Sequence, residues 1–206
     1  MGPFLERSSW VGRPAKHTRR NIWDAIQYLA ASGCQWRMLP KDFPPYSTVQ
    51  HYFYNWPDSG SMVAVNEALA AASRLIAGRT ETALAGIIDS QSVKTTESGG
   101  PRGYDAGKKI KGRKRRIVTD TQGNILDAYV HTADIQDRDG APSLIERARD
   151  ICPTLVTMFA DGGYAGDKLA KAISHIEGLA LEIVKRSDTA VGFVVLSKRM
   201  IAMSTP

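Results

Sequence analysis

The chain has 206 residues, enough for one medium domain or a small domain beside a larger one. An apolar fraction of 43% excludes wholesale disorder, and the absence of any run of about 18 apolar residues or of a leader-like apolar stretch argues against a membrane span or a secretory signal. A net charge of +6, a pI of about 9.4 and two cysteines without metal-type spacing fit a cytoplasmic protein with a polyanionic partner.

Residues 1–17 carry Gly12, Pro14, Lys16 and His17 without a clear period and read as a loose arm. Thr18 is placed to cap a helix over 19–31, in which Ile22, Ile26 and Leu29 recur at helical spacing, and Gly33 is a natural stop. Pro40, Pro44 and Pro45 predict an extended loop. Ser47 is expected to cap a second helix over 48–56, ended by Pro57, and a third helix rich in Ala and Leu is expected over 62–76. Three helices with short connections suggest a helix-turn-helix-like module, although an ordinary helical bundle fits the same pattern. Within it, Trp36, Phe43, Tyr46, Tyr52, Phe53 and Trp56 read mostly as core packing. Arg37, Lys41, Gln50 and His51 are the better candidates for contact with DNA.

From Leu84 the texture changes to strands, expected at 84–89, 114–119, 125–131, 154–160, 181–185 and 192–196. Residues 121–124 form a hairpin turn signal, and helical patterns sit at 141–150 and 167–175. This order predicts an α/β fold, a mixed sheet with helices packed on it. Cys34 and Cys152 each read as a small buried apolar residue.

Two of the apolar runs end in an aspartate, Asp89 and Asp161. A carboxylate at the end of a buried strand is rigidly held, and two on neighbouring strands can share a hard cation such as Mg²⁺. Strand-ending aspartates in plain turns are the competing explanation. Between the two lie residues 108–116, which carry seven cationic side chains. They suit phosphate contact near a metal, or equally a solvated charged loop entering an edge strand. Asp134, Asp137 and Asp139 read as a loop capping a helix rather than a calcium site, and Gly162-Gly163 as a tight turn.

Three ordered blocks carry a family resemblance. They are Gly33-Cys34-Gln35-Trp36-Arg37-Met38-Leu39-Pro40 with its continuation to Trp56, Asp89-Ser90-Gln91-Ser92-Val93-Lys94 with Gly107 to Arg115, and Ala160-Asp161-Gly162-Gly163-Tyr164-Ala165-Gly166. Over roughly residues 10–199 the chain resembles bacterial insertion-sequence transposases of the DDE type, in the insertion-sequence-five-like group. The resemblance implies a helical, DNA-binding N-terminal region at 1–80 and a ribonuclease-H-like catalytic domain at 81–199. It implies a two-metal site for Mg²⁺ or Mn²⁺ held by two Asp and one Glu, with Asp89 and Asp161 as the first two catalytic and metal-binding members. It further implies DNA contact by Arg37, Lys94, Lys108, Lys109, Lys111, Arg113, Lys114 and Arg115. The partners would be the double-stranded terminal inverted repeats of a transposon and another transposase copy, this chain's own or full-length. In the family the Glu falls at a position near Met203 here, yet no Glu follows Glu182. The expectation is therefore a truncated or frame-changed catalytic domain with an aberrant tail at 200–206, inactive alone, or else an inactive DNA-binding remnant or inhibitor.

Overall fold

The computed structural model describes residues 15–95 and 100–184. The chain divides into two compact units, Met1–Leu69 and Ala70–Pro206.

In the first unit, α1 (Arg19–Ser32) begins where the Thr18 hydroxyl accepts the Asn21 N–H, at 3.2 Å. It ends at Gly33, whose left-handed φ of 65° lets its N–H reach the Leu29 carbonyl. A 3-10 turn follows at Trp36–Met38. Helix α2 (Tyr46–Asp58) starts two residues before expectation, because Pro45 turns its own carbonyl onto the N–H groups of Thr48 and Val49. Ser47 therefore lies inside the first turn and is not the cap. Pro57 sits in the last turn, where its missing N–H forfeits only one helical bond, and α2 runs on to Asp58. Helix α3 spans Ser61–Ile76. Ile22, Ala25, Ile26, Val49, Trp56 and Val65 form the buried core, with Trp23 and Tyr52 ring-packed on Trp56. Tyr46 and Phe53, expected in that core, are instead exposed.

The second unit is built on one mixed sheet. Its strands are β1 (Ala85–Lys94), β2 (Gly103–Asp105), β3 (Ile110–Asp120), β4 (Ile125–Thr132), β5 (Thr157–Asp161) and β6 (Ala180–Val184). β3 runs antiparallel to β1 on one side and to β4 on the other, with β2 paired to its first three residues. β1 is parallel to β5, and β5 to β6, which gives the order β4-β3-β1-β5-β6. Helix α4 (Asp137–Ile151) lays Ala141, Leu144, Ile145 and Ala148 on Ile88, Val118, Met158 and Ala160. Helix α5 (Asp167–Ala172) adds Leu169 to the same core. This is the ribonuclease-H-like mixed sheet with flanking helices that the resemblance implies.

The departures are local. Helix α4 starts four residues early, with Asp137 and Asp139 in its first turn and Gly140 and Pro142 inside it. Strand β2, three residues long, carries too short a pattern to be read from sequence. Residues 112–116 are interior strand, paired on both sides, and 110–111 pair with β2, so this is not a loop entering an edge. Helix α5 ends at Ala172, short of expectation. Cys152 is buried as expected, while Cys34 is only half-buried; both are free thiols. The strand expected at 192–196, the position near Met203 and the tail at 200–206 lie outside the described residues.

Candidate active site

The pairing of β1 with β5 sets Ile88 opposite Ala160, so the next residues, Asp89 and Asp161, leave the pair side by side. Side chains alternate along a strand. Ile88 and Ala160 enter the α4 core, and Asp89 and Asp161 therefore take the other face of the sheet. Asp161 is the last residue of β5, and its Oδ1 accepts the Gly163 N–H at 2.9 Å. Asp89 Oδ1 accepts its neighbour's amide, Ser90 N–H, at 2.7 Å. Contrary to the sequence reading, β1 does not stop at Asp89; it continues with β3 to Lys94. Asp89 thus stands where β5 leaves the sheet. Burial pushes the Asp89 carboxyl above its ordinary range, and the nearby Asp161 and Asp137 push the same way against the Ser90 amide and Lys108. A bound cation would relieve that repulsion.

Alternation also divides the basic run into two faces. Lys114, Arg116 and Val118 point toward α4 and are buried. Lys114 has 3% of its surface exposed, and its Nζ lies 3.0 Å from Asp137 Oδ1 and 3.3 Å from Asp105 Oδ2. It also donates to the Ile135 carbonyl at 3.0 Å. Lys114 is therefore not a surface cation free for phosphate, which corrects its assignment as a DNA contact. Asp105 is held well below the usual carboxylate range, chiefly by the Ser92 hydroxyl at 2.6 Å, and also by the Lys108 amide and Lys114.

Arg116 is fully buried and fixes the chain just ahead of α4. Its guanidinium donates to the carbonyls of Ile135, Gln136 and Asp137 and, at 2.5 Å, to His131 Nε2. His131 in turn donates from Nδ1 to the Thr132 carbonyl at 2.6 Å, which makes it the neutral Nδ1–H tautomer. Gly140 is glycine because a Cβ there would lie 2.6 Å from Arg116 Cζ.

Of the other expected DNA contacts, Lys94, Lys108, Lys109, Lys111 and Arg115 are exposed, and Arg113 is half-buried with its Nε on the Pro101 carbonyl. Lys108 reaches the Ser90 carbonyl at 3.1 Å, beside Asp89, and Arg115 donates to Gln91 Oε1 at 2.6 Å. Arg37 belongs to the first unit, exposed in its 3-10 turn.

Three site residues had no functional signal in the sequence. Asp137, read as a helix-capping aspartate, accepts Ser90 Oγ at 2.7 Å and lies close to Asp89. Asp105 lies in the short β2. Tyr164, 1% exposed, has a hydroxyl beside Asp137 and Asp89 with Ser90 in reach, yet it makes no well-formed hydrogen bond among the described residues. Burial pushes its phenol upward. A cleft of about 330 Å³ opens next to them, lined by Tyr104, Asp105, Lys114, Asp137, Arg138 and Gly163.

The donor set suits a hard cation. Asp89 and Asp161 offer carboxylate oxygens only, the ligand type of Mg²⁺ and Mn²⁺. A Cβ on Gly163 would sit 3.1 Å from Asp161 Oδ1 and 3.4 Å from Asp137 Oδ2, so glycine keeps the space between these oxygens open. Among the described residues, no three His, Cys, Asp or Glu side chains converge closely enough to hold one ion between them. No helix among them is long and apolar enough to cross a membrane.

Comparison with known proteins places the chain among transposases. The family described as transposase DDE domain matches residues 81–202, and the IS4/5 transposase family matches residues 1–66. No curated protein matches the chain. Among solved structures, the Mos1 transposase paired-end complex with left transposon end is 7% identical, with a TM-score of 0.34 over 88% of this chain and 62% of that one. The Mos1 strand transfer complex is also 7% identical, with a TM-score of 0.31 over 86% of this chain and 60% of that one. The chain thus spans less than two thirds of either Mos1 chain.

Proposed function

The chain belongs to the family of DDE-domain transposases of insertion sequences, and on that premise we propose that it binds the terminal inverted repeats of its element and takes part in metal-dependent cutting and joining of their DNA. The observation that carries this reading is the placement of Asp89 and Asp161 side by side on parallel strands, where two carboxylates share one face. In this reading they hold Mg²⁺ or Mn²⁺, and the ion supplies Lewis-acid polarisation of the phosphate and activation of the attacking hydroxyl. The protein's own contribution is orientation. The Ser90 and Gly163 amides each hold one oxygen of an aspartate and leave the second to the ligand.

DNA would lie along the cations of β3 outside the α4 face. Lys111, Arg113 and Arg115 alternate on β3 about 6.7 Å apart, on the face that carries Asp89 rather than the α4 face. Lys108 and Lys109, just before β3, and Lys94, the last residue of β1, would add positive charge beside that row. A row of this kind suits a linear polyanion, and most of its affinity would come from counterion release. Arg37 would act separately, from the helical unit.

The test is a gel-shift and cleavage assay on the full chain with the terminal repeat of its own element, a scrambled duplex, and Mg²⁺ or EDTA. Preferential binding with Mg²⁺-dependent nicking, lost in Asp89→Asn, is the expected result. Binding without nicking under any metal condition removes the catalytic half of the proposal. No preference for the repeat over the scrambled duplex removes the recognition half.

A further inference from the structure

Asp137 is the acidic residue that a two-aspartate site does not use. Its Oδ1 is occupied by Ser90 Oγ at 2.7 Å and Lys114 Nζ at 3.0 Å. Its Oδ2 takes part in neither bond and faces Gly163, across which Asp161 Oδ1 lies. The gap between the two oxygens is bare because residue 163 has no side chain. A second feature points into the same place. The Tyr164 hydroxyl is enclosed beside Asp137 and Asp89 with Ser90 in reach, yet makes no well-formed hydrogen bond among the described residues. A buried hydroxyl left unpaired is costly unless water or a ligand satisfies it.

We propose that Asp137 is a positioning residue for the cation held by Asp89 and Asp161. Its Oδ2 accepts a hydrogen bond from a water in the shell of that ion, while Lys114 and Ser90 fix the carboxylate's direction. The inference rests on the metal reading of the preceding subsection. It follows from how Mg²⁺ and Mn²⁺ bind: one or two carboxylates hold the ion, several waters stay on it, and outer partners orient them. A rotating aspartate would serve poorly. One bonded to a buried lysine and to a serine on β1 cannot turn away.

The experiment uses Mn²⁺ as the probe, titrated into the full chain with free Mn²⁺ read by electron paramagnetic resonance and the unfolding midpoint recorded for each variant. Asp89→Asn is expected to abolish binding, which tests the metal reading itself. Asp137→Asn is expected to weaken binding about 10-fold or more, in the range found for outer-shell partners. Asp127→Asn removes a carboxylate that pairs with Arg147 and takes no part in the site, and is expected to leave affinity within about twofold of wild type. Wild-type affinity in Asp137→Asn, or equal losses in Asp137→Asn and Asp127→Asn, overturns the proposal. Failure of the wild-type chain to bind Mn²⁺ sinks the metal reading and this inference with it. Should Asp137→Asn not fold, Gly163→Ala decides, since its methyl fills the gap on an exposed turn. Loss of affinity there supports the proposal, and unchanged affinity overturns it.

Discussion

Lys114 Nζ lies 3.0 Å from Asp137 Oδ1, with 4% of the lysine side chain exposed, and this pair joins the centre of β3 to the first turn of α4. The basic run is thus two structures in one sequence. Lys114 and Arg116 are buried and hold the domain together, whereas Lys108, Lys109, Lys111 and Arg115 are exposed.

Lys114→Met is accordingly expected to behave as a stability variant. It strips the buried Asp105 and the half-buried Asp137 of their shared cation, and breaking one side of a buried ion pair costs about 3–5 kcal/mol. Urea unfolding checks this. A midpoint unchanged from wild type would show that the lysine is solvated and that the triad carries no structural weight.

Lys111→Ala and Arg115→Ala should do the opposite. Both side chains are exposed, so stability should stay within about 0.5 kcal/mol of wild type. Affinity for duplex DNA should fall, and the slope of log K against log salt should flatten by about 0.9 for each phosphate left without its cation. Fluorescence anisotropy between low and moderate salt reads the slope. The reverse outcome, reduced stability with an unaltered slope, would put these residues in the fold and not at the DNA.

What was legible in the sequence was whatever acts locally. Thr18 and Gly33 announce α1 because a cap and a left-handed stop are made within a few residues of the chain. Asp89 and Asp161 stand out because each interrupts an apolar run, and the register of β1 with β5 brings them together. The faces of β3 were hidden for a physical reason. Alternation shows as polar against apolar, and here both faces carry Lys or Arg, so the period of two leaves no trace in hydropathy. Helix α4 was cut short because Gly140 and Pro142 imitate a boundary. Gly140 is there to admit the Arg116 guanidinium, a contact spanning 24 positions that no local pattern encodes. Asp137 was rightly read as an aspartate near a helix N-terminus, but its bonds to Ser90 and Lys114 were hidden for the same reason, since those partners are distant in sequence.

Gly140→Ala follows from that contact. The new methyl would fall 2.6 Å from Arg116 Cζ, and the guanidinium cannot retreat without abandoning carbonyls at 135–137. Helix propensity alone would favour alanine by about 1 kcal/mol. Overpacking against a pinned group costs typically 1–3 kcal/mol, so net destabilisation is expected. Thermal unfolding of this single variant tells which effect wins, and a raised midpoint would mean that Arg116 is loosely held.

His131 sets an acid limit on the fold. Burial, with help from nearby Arg116 and Lys114, depresses its pKa below the ordinary 6.5, against the Thr132 carbonyl and Asp134. The folded state therefore keeps the ring neutral, with Nε2 accepting from Arg116. The unfolded chain takes up the proton first as pH falls through about 6.5, so it binds more protons than the native state below that point. Stability must then decline with acidification until the native ring also protonates, and it is fully present above the unfolded value. Protonation would set an imidazolium against the Arg116 guanidinium and release the loop that carries Asp137. Urea midpoints measured from pH 7.5 to 5.5 should fall in wild type and flatten over the upper part of that window in His131→Gln. Parallel curves for the two proteins would assign the acid sensitivity to other groups, with Asp120 and Asp105, both depressed carboxylates, acting only at lower pH.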